Sequence, residues 1–315
     1  MWVLVSLGAG VVQTARNGLS RSLSGVLPAT LLSWSRFAFN LPFATLLVLL
    51  LYRLGTDGAP TLSLRFFALS AVGGAGQILG NVALIASFTA GTFAQAIVLH
   101  KTEAVLAAVV GFVFFAQEPS PLAWAGIAVS VLGVILIGLV SSDRPSPSRV
   151  AGSALPSASA STLLTANRGT ALALGSAALL VAASFGINEA TEELGRLNPE
   201  VDGTFGFAAT TLFHVTWMEV AALTAWLMAR ERAALGMVPD HLPRLAAIGL
   251  TSFAGSLGWF WAFSLTLVAF VKAVGQIESV LSVLLAIFLW GEQRTRDQLP
   301  GIALTVVGIL LIVAG

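Results

Sequence analysis

The sequence predicts an all-α membrane protein whose ten transmembrane helices form two inverted five-helix repeats. Three observations predict this fold. Hydrophobic residues make up 57% of the chain and charged residues only 10%, whereas soluble domains carry about 25% charged residues. Long apolar runs recur along the chain, and the mean hydropathy is +0.90. The two halves also resemble each other at one constant offset.

Ten apolar runs have lengths close to the roughly 20 residues that cross the ~30 Å hydrocarbon core of a bilayer. The sequence lacks the short alternating segments of a membrane β-barrel, which leaves helices as the spanning structure. We therefore expect a multi-pass integral protein in a lipid bilayer, the inner (plasma) membrane of a bacterium. The predicted spans are 2–20, 29–52, 66–88, 91–115, 121–140, 170–190, 206–229, 244–266, 268–290 and 297–314.

A segment rich in serine, alanine and proline separates the fifth predicted span from the sixth. Such a composition buries too little apolar surface to fold, so residues 141–168 are predicted to be a flexible linker. The linker divides the chain into a first repeat, residues 1–140, and a second repeat, residues 169–315, with five spans each.

The internal repeat becomes visible when the sequence is shifted by 175 residues. HKTEAVLAAV (100–109) then lies over GQIESVLSVL (275–284), and AGIAVSVLGVILI (125–137) lies over PGIALTVVGILLI (300–312). Two units with an odd number of spans insert in opposite orientations, and inverted repeats are typical of secondary transporters. The aligned glycines are predicted to allow close helix packing. The aligned pairs include Glu103 with Glu278, Gly126 with Gly301 and Gly133 with Gly308.

Charged residues within the predicted spans are the first candidates for chemistry. Each costs ~2.5–3.5 kcal/mol at the membrane centre even on the insertion scale, so it is expected to be paired, hydrated or functional. Four are basic and four acidic, which also fits neutral pairs that hold helices together. They are Arg16, Arg36, Lys101, Lys272, Glu103, Glu189, Glu219 and Glu278. Polar residues accompany them in the spans, namely Gln77, Asn81, His100, Asn188, His214 and Gln276.

Helical spacing indicates that the two charged residues of the fourth span lie on different faces of the helix. Glu103 shares a helix face with His100, whereas Lys101 lies ~200° around the helix from Glu103. The two charges cannot face one cavity from an ideal helix. We therefore expect Glu103 to line a central cavity while Lys101 faces a neighbouring helix.

The ninth span repeats this pattern. Lys272 shares a face with Gln276, and Glu278 lies on a different face, so Glu278 is the expected cavity residue. The alternative left open is a symmetric pair of salt bridges from the two glutamates to Arg16 and Arg36.

Two tryptophans lie inside the eighth predicted span, away from its start. Trp259 and Trp261 could form an aromatic wall around a substrate. The alternative is that they face lipid or fill space between helices.

Two further motifs are SWSRFAFNLPFA (33–44), in the second predicted span, and FLWGEQRT (288–295), after the ninth. They are similar to the second-span signature and to the glycine–glutamate turn of the EamA module, so the sequence resembles the drug/metabolite transporter superfamily. The resemblance covers the whole chain in two EamA copies and implies a ten-span permease. Many members carry a proline directly after the positions of Glu103 and Glu278. This chain has Ala104 and Ser279 there, so it does not by itself predict a kink.

The leading interpretation is a secondary transporter, an exporter of a small polar or amphipathic metabolite, that works by alternating access. The resemblance implies amino acids, related metabolites or drugs as the substrate class. Glu103 or Glu278 could bind the substrate's amine or take up a coupling proton. The second interpretation is a facilitator or exchanger of an anionic metabolite such as a sugar phosphate, bound by Lys101, Lys272 and Arg36.

The third interpretation, a membrane-embedded enzyme or assembly factor, lacks support in the sequence. The chain has no cysteines, and its three histidines lack the spacing of a metal site. We expect no cofactor, no metal, no catalytic residue and no nucleic-acid partner. The sequence leaves the oligomeric state open.

The family resemblance and the distribution of arginines predict opposite orientations of the protein in the membrane. The usual arrangement of the superfamily has both termini in the cytoplasm, which would leave most loop arginines outside. The positive-inside rule predicts the reverse, with both termini outside, and we favour it because it rests on residues of this chain. The arginines placed outside by the family arrangement are Arg21, Arg144, Arg149, Arg168, Arg230, Arg232, Arg244, Arg294 and Arg296, against Arg53, Arg65 and Arg196 inside.

Overall fold

The computed structural model describes seven stretches of the chain, and helices account for almost all of them. The described residues are 1–23, 26–54, 58–90, 99–142, 168–201, 203–281 and 299–315, and they contain no strand. The helices are α1 Trp2–Leu23, α2 Ala29–Ala38, α3 Leu41–Leu54, α4 Leu64–Ala90, α5 Glu103–Phe115, α6 Pro121–Ser142, α7 Arg168–Leu197, α8 Thr204–Arg230, α9 Arg232–Leu235, α10 Val238–Leu265, α11 Val268–Val274 and α12 Leu299–Ala314.

Five helical stretches of the described chain are long and apolar enough to cross a bilayer. They are Thr30–Arg53, Leu64–Leu84, Arg168–Leu197, Thr204–Arg230 and Val238–Leu265. Shorter apolar helices lie at Glu103–Phe115, Pro121–Ile137 and Leu299–Ala314. These helices indicate an integral membrane protein, as predicted. Parts of the fourth and ninth predicted spans, residues 91–98 and 282–290, lie outside the described residues.

The predicted linker falls almost wholly outside the described chain. Helix α6 ends at Ser142 and α7 begins at Arg168, so only the edges of 141–168 are described. The FLWGEQRT motif (288–295) also lies outside the described residues.

The chain divides into two compact units, and each draws on both predicted repeats. The first unit contains residues 1–76 and 182–267, and the second contains residues 77–181 and 268–315. Helices α4 and α7 each contribute one part to either unit.

Small residues let the helices of the first unit approach closely. A Cβ atom on Gly258 of α10 would lie 2.9 Å from Cβ of Ala9 on α1. A Cβ on Gly249 would lie 2.6 Å from the carbonyl carbon of Phe39, at the end of α2. Glycine removes the side chain at these contacts, and close packing is what holds helices together in lipid.

In the second unit, α6 and α12 pack antiparallel through the glycines that the repeat aligns. A Cβ on Gly126 would lie 2.7 Å from the carbonyl oxygen of Gly308, and one on Gly308 would lie 2.7 Å from that of Gly126. Gly133 and Gly301 meet in the same way, at 2.6 and 2.7 Å. The predicted role of these glycines in close packing is confirmed.

Three of the predicted spans are interrupted in the structure. The second breaks at Phe39 and Asn40, between α2 and α3, where Pro42 has no N–H to continue the helical ladder. The fourth turns at residues 101–102, just before α5, and the ninth turns at residues 275–276, just after α11. Bonds between residues three apart replace the helical pattern, as from the Thr102 N–H to the Leu99 carbonyl at 3.2 Å.

Candidate functional site

The interrupted fourth and ninth spans meet in the second unit through an ion pair. Lys272 Nζ, on α11, donates to Glu103 Oε2, at the first residue of α5, over 3.1 Å. The side chains are only 16% and 12% exposed. We expected Glu103 to face a cavity and Lys272 to face a neighbouring helix. Lys272 does contact a neighbouring helix, and its partner there is Glu103. The Lys101 ammonium group also acts electrostatically on the Glu103 carboxylate.

A second contact joins the two turns directly. The Gln276 Nε2 group donates to the backbone carbonyl of Lys101 at 3.1 Å, across the site of both interruptions. Gln276 is 1% exposed, and its Oε1 has no hydrogen-bond partner among the described residues. The ideal-helix argument that separated Lys101 from Glu103 does not hold here, because the helix turns at Lys101. A buried amide oxygen remains available to accept a hydrogen bond from a ligand.

His100 lies beside this cluster and is held by Ser176 of α7. The Ser176 hydroxyl donates to the Gly80 carbonyl at 2.8 Å and lies 3.3 Å from His100 Nδ1. A hydroxyl has a single proton to donate, so His100 Nδ1 donates to Ser176 and, in the neutral ring, Nε2 is the acceptor. His100 is 8% exposed, which makes it a buried polar group with a defined orientation.

Other predicted site residues of the second unit make local contacts. Asn81 Nδ2 donates to the carbonyl of Gln77 at 2.7 Å, within α4. Both side chains are partly buried. The backbone N–H of Glu278 donates to the carbonyl of Gly275 at 3.1 Å, and Glu278 is partly exposed. Thus both glutamates lie directly after an interruption: Glu278 is the second helical residue after the turn at 275–276, and Glu103 is the first after the turn at 101–102.

The two tryptophans lie in the first unit, where each has a polar partner. Trp259 Nε1 donates to Gln13 Oε1 at 2.9 Å. Trp261 Nε1 donates to Thr204 Oγ1 at 3.3 Å, and its ring stands edge-on to Phe205 at 5.0 Å. These contacts fit the interpretation that they fill space between helices.

A polar ladder between α8 and the broken second span was not foreseen from the sequence. Trp34 Nε1 donates to Thr224 Oγ1 at 2.8 Å, and Tyr52 and Thr210 hydroxyls meet at 2.8 Å. Between them Asn40 Nδ2 lies 3.5 Å from Thr216 Oγ1. Along these three contacts the residue numbers rise in the second span and fall in α8, so the two run antiparallel.

Arg36 and Glu219 lie on the two sides of this ladder, Arg36 on α2 and Glu219 on α8. The Arg36 guanidinium acts electrostatically on the Glu219 carboxylate, which is 2% exposed. The sequence contains features that could have predicted the pairing of Arg36 with Glu219. Each lies in an apolar stretch, they have opposite sign, and neutral pairing was one of the interpretations left open.

The remaining charged candidates form a network near the end of α7. Arg196 binds Glu189, Glu192 and Glu193 at 3.5, 3.2 and 3.4 Å. Arg65 lies 3.9 Å from Glu189 and 3.7 Å from Glu193. Glu189 therefore belongs to a structural network, which agrees with the neutral-pair interpretation for this residue.

Arg16, on α1, is 6% exposed and donates to Asn17 Oδ1 at 2.9 Å.

Comparison with known families bears on the second half of the chain. Residues 201–314 match the EamA-like transporter family. The chain therefore contains an EamA-like transporter domain, which includes Lys272 and Gln276. This family implies a membrane transporter of the drug/metabolite transporter superfamily. The first predicted module, in residues 1–140, lies outside the matched residues.

Comparison with solved structures bears on the fold. One crystal structure resembles the chain with a TM-score of 0.71 at 14% sequence identity, and the likeness covers 99% of this chain and 97% of that one. At this identity the likeness concerns the fold alone. No curated protein matches the sequence.

Proposed function

We propose that the protein is a secondary transporter that exports a small polar or amphipathic metabolite by alternating access. It would have ten spans in two inverted repeats and lie in the inner membrane of a bacterium, with protons as the coupling ion. The substrate site would be built on Glu103, Lys272, Gln276, His100 and Lys101. The further candidates stay Glu278, Arg36, Gln77, Asn81, Trp259, Trp261 and Glu219.

The observation that carries the proposal is the Lys272–Glu103 ion pair at two interrupted membrane helices. Transporters typically bind substrate where discontinuous helices expose backbone groups and charged side chains near the midplane. Here an acid, a base, an amide oxygen and unwound backbone occur together within a few residues of both turns. The EamA-like domain supports transport as the use of such a site.

The inverted repeat is supported by contacts that the repeat predicts in pairs. A shift of 175 residues carries Gly126 onto Gly301 and Gly133 onto Gly308. The contact of Gly126 with Gly308 therefore corresponds to that of Gly301 with Gly133, and both exist. The same shift carries Lys101 onto Gln276, which contact each other. Such reciprocity is expected around a two-fold axis between inverted halves.

The pairing of charges favours a zwitterion as the substrate. A zwitterion can exchange with an internal ion pair, its amine facing Glu103 and its carboxylate facing Lys272, without leaving an uncompensated charge. An anionic metabolite would bind Lys272 but leave Glu103 facing it with like charge. We therefore rank amino acids and related compounds above sugar phosphates, which remain the alternative.

Ligand-dependent stabilisation of the purified protein tests the proposal. A ligand held at 100 times its dissociation constant adds ~2.7 kcal/mol to the free energy of unfolding. In a screen of zwitterions, amines and anions, only one of these three ligand classes should stabilise the wild type. E103Q and K272Q should lose that response, and E118Q, which changes an exposed glutamate, should keep it. A response that survives in both site variants would contradict the proposed site.

A further inference from the structure

Glu219 is a buried acid that is not part of the cluster around the Lys272–Glu103 pair. It lies in the middle of α8, 2% exposed. Helix α4 passes over it at Gly74, where an added Cβ would lie 3.3 Å from Glu219 Cγ. The glycine thus makes room for the carboxyl group within the first unit.

The charged surroundings of Glu219 are sparse. Among the described residues, Arg36 from α2 is the charged group that acts electrostatically on it. On α4 the nearest charge in sequence is Arg65, which is bound to the α7 glutamates. On α10, the charged or titratable groups are Asp240, His241 and Arg244, all within its first two turns. Tyr52 of α3 is bonded to Thr210, more than two turns away along α8.

Two buried oxygen atoms of this region have no donor. Glu219 Oε1 and Asn40 Oδ1 both lack a hydrogen-bond partner among the described residues. Asn40 is 1% exposed and contacts Thr216, one turn before Glu219 on α8. A buried acceptor without a donor costs roughly 1–3 kcal/mol. Each of these two oxygens therefore lacks a donor, and a ligand that brings a donor to either one would offset this cost.

A proton fits this deficit better than a metal ion does. Two protein oxygens are far fewer than the roughly six that a hard cation requires. The guanidinium of Arg36 also repels a second cation. A proton instead binds to one carboxylate oxygen and converts an acceptor into an O–H donor. It comes from water and returns to water, and Arg36 keeps its charge throughout.

We propose that Glu219 is an exchangeable proton-binding site. Its ionised form is balanced by Arg36, and its protonated form supplies the donor that the buried oxygens lack. Resting on the proposed function, this assigns the coupling proton to Glu219. Glu103, held in its ion pair with Lys272, is left to bind substrate.

Infrared difference spectroscopy of the purified full-length protein tests this with the proton alone as the probe. Spectra at acid and alkaline pH, within the range where the protein stays folded, report the loss of protonated carboxyl groups. The wild type should show a carboxyl C=O band that disappears reversibly on raising the pH and is missing from E219Q. E200Q, which changes an exposed glutamate of the same unit, should keep the band.

E219D keeps the test decisive if E219Q does not fold. Both proteins are labelled with carboxyl-¹³C glutamate. The wild-type band should then show the isotope shift, whereas the band of E219D should not, because the aspartate at position 219 carries no label. If Glu219 stays in one protonation state over the whole range, the proposal is overturned. Because no substrate is involved, the result is independent of the ligand screen. A titrating Glu219 in a protein that binds no ligand would count against the proposed function only.

Discussion

Lys272 and Glu103 form a pair whose stability depends on both partners remaining. Two charges taken out of water are costly, and their attraction over 3.1 Å offsets the cost only while the pair is intact. Removing one charge leaves the other buried and uncompensated, whereas replacing both with apolar groups of similar size is often neutral.

A double-mutant cycle tests this pairing. We expect E103L and K272M each to lower the free energy of unfolding by about 3 kcal/mol. The double variant E103L/K272M should cost clearly less than the sum of the single changes. Denaturant unfolding of purified protein in mild detergent measures all three, with E118Q as the neutral control. Single changes that each cost under about 1 kcal/mol, as exposed pairs do, would show that the pair is solvated.

The charged candidate residues were easier to predict from the sequence than the residue with which each of them pairs. The cost of charge in a membrane selected Glu103, Lys272, Arg36 and Glu219 from the sequence alone. Their pairing depends on which helices touch, and helical spacing within one span carries no information about that. The turn at Lys101 also changed the direction of the side chains around it, so the ideal-helix angle misled.

At the scale of helices, the glycine contact of α6 with α12 is the tightest that the sequence predicted. Backbone atoms of the two helices lie where side chains would otherwise begin. A methyl group there must push the helices apart and lose packing along their whole length. By contrast, a Cβ on Gly175 of α7 would meet nothing within 4 Å.

Matched glycine-to-alanine changes test this contact. G133A should lower the free energy of unfolding by about 1–3 kcal/mol, the usual cost of overpacking. G175A should be neutral or stabilising, because alanine is favoured over glycine in a helix by about 1 kcal/mol. Thermal unfolding of the two variants in the same detergent measures the difference. Equal melting temperatures for G133A and G175A would contradict the described packing.

The interruptions were only partly predictable. The Asn-Leu-Pro sequence at residues 40–42 contains a proline, which accounts for the break in the second span. The turns at 101–102 and 275–276 have no proline beside them. They are held instead by tertiary contacts, among them the bond of Gln276 to the Lys101 carbonyl. Gly275 weakens the helix at the second turn, whereas the contact between the two distant segments leaves no mark in the local sequence.

At the scale of the molecule, the chain divides into units that differ from its sequence repeats. A repeat found by alignment records common descent of two segments, whereas compact units record which helices pack together. The linker and the orientation in the membrane are questions at this scale, and both stay predictions.

The linker is predicted to be dispensable. Replacing residues 143–167 with a Gly/Ser chain of equal length should leave the melting temperature and ligand response unchanged, because the segment is too poor in apolar residues to pack. Stability measurements and the ligand screen check this on the purified variant. Loss of either property would assign the segment a structural or binding role.

The charge rule predicts that both termini lie outside. The chain has no cysteines, so Val150→Cys and Pro60→Cys give single labelling sites. With an impermeant reagent on intact cells, position 60 should react and position 150 should not. The opposite pattern would restore the orientation usual in the superfamily.

Substrate counterflow in vesicles that contain the purified protein tests transport through the Glu103–Lys272 site. The compound to use is the one that stabilises the wild type most strongly. The wild type and E118Q should accumulate labelled compound against an unlabelled interior pool. E103Q should do so at least about tenfold more slowly, because a hydrogen bond to a charged group contributes roughly 1.5–3 kcal/mol. Equal rates for wild type and E103Q, or counterflow in none of the proteins, would contradict transport through the Glu103–Lys272 site.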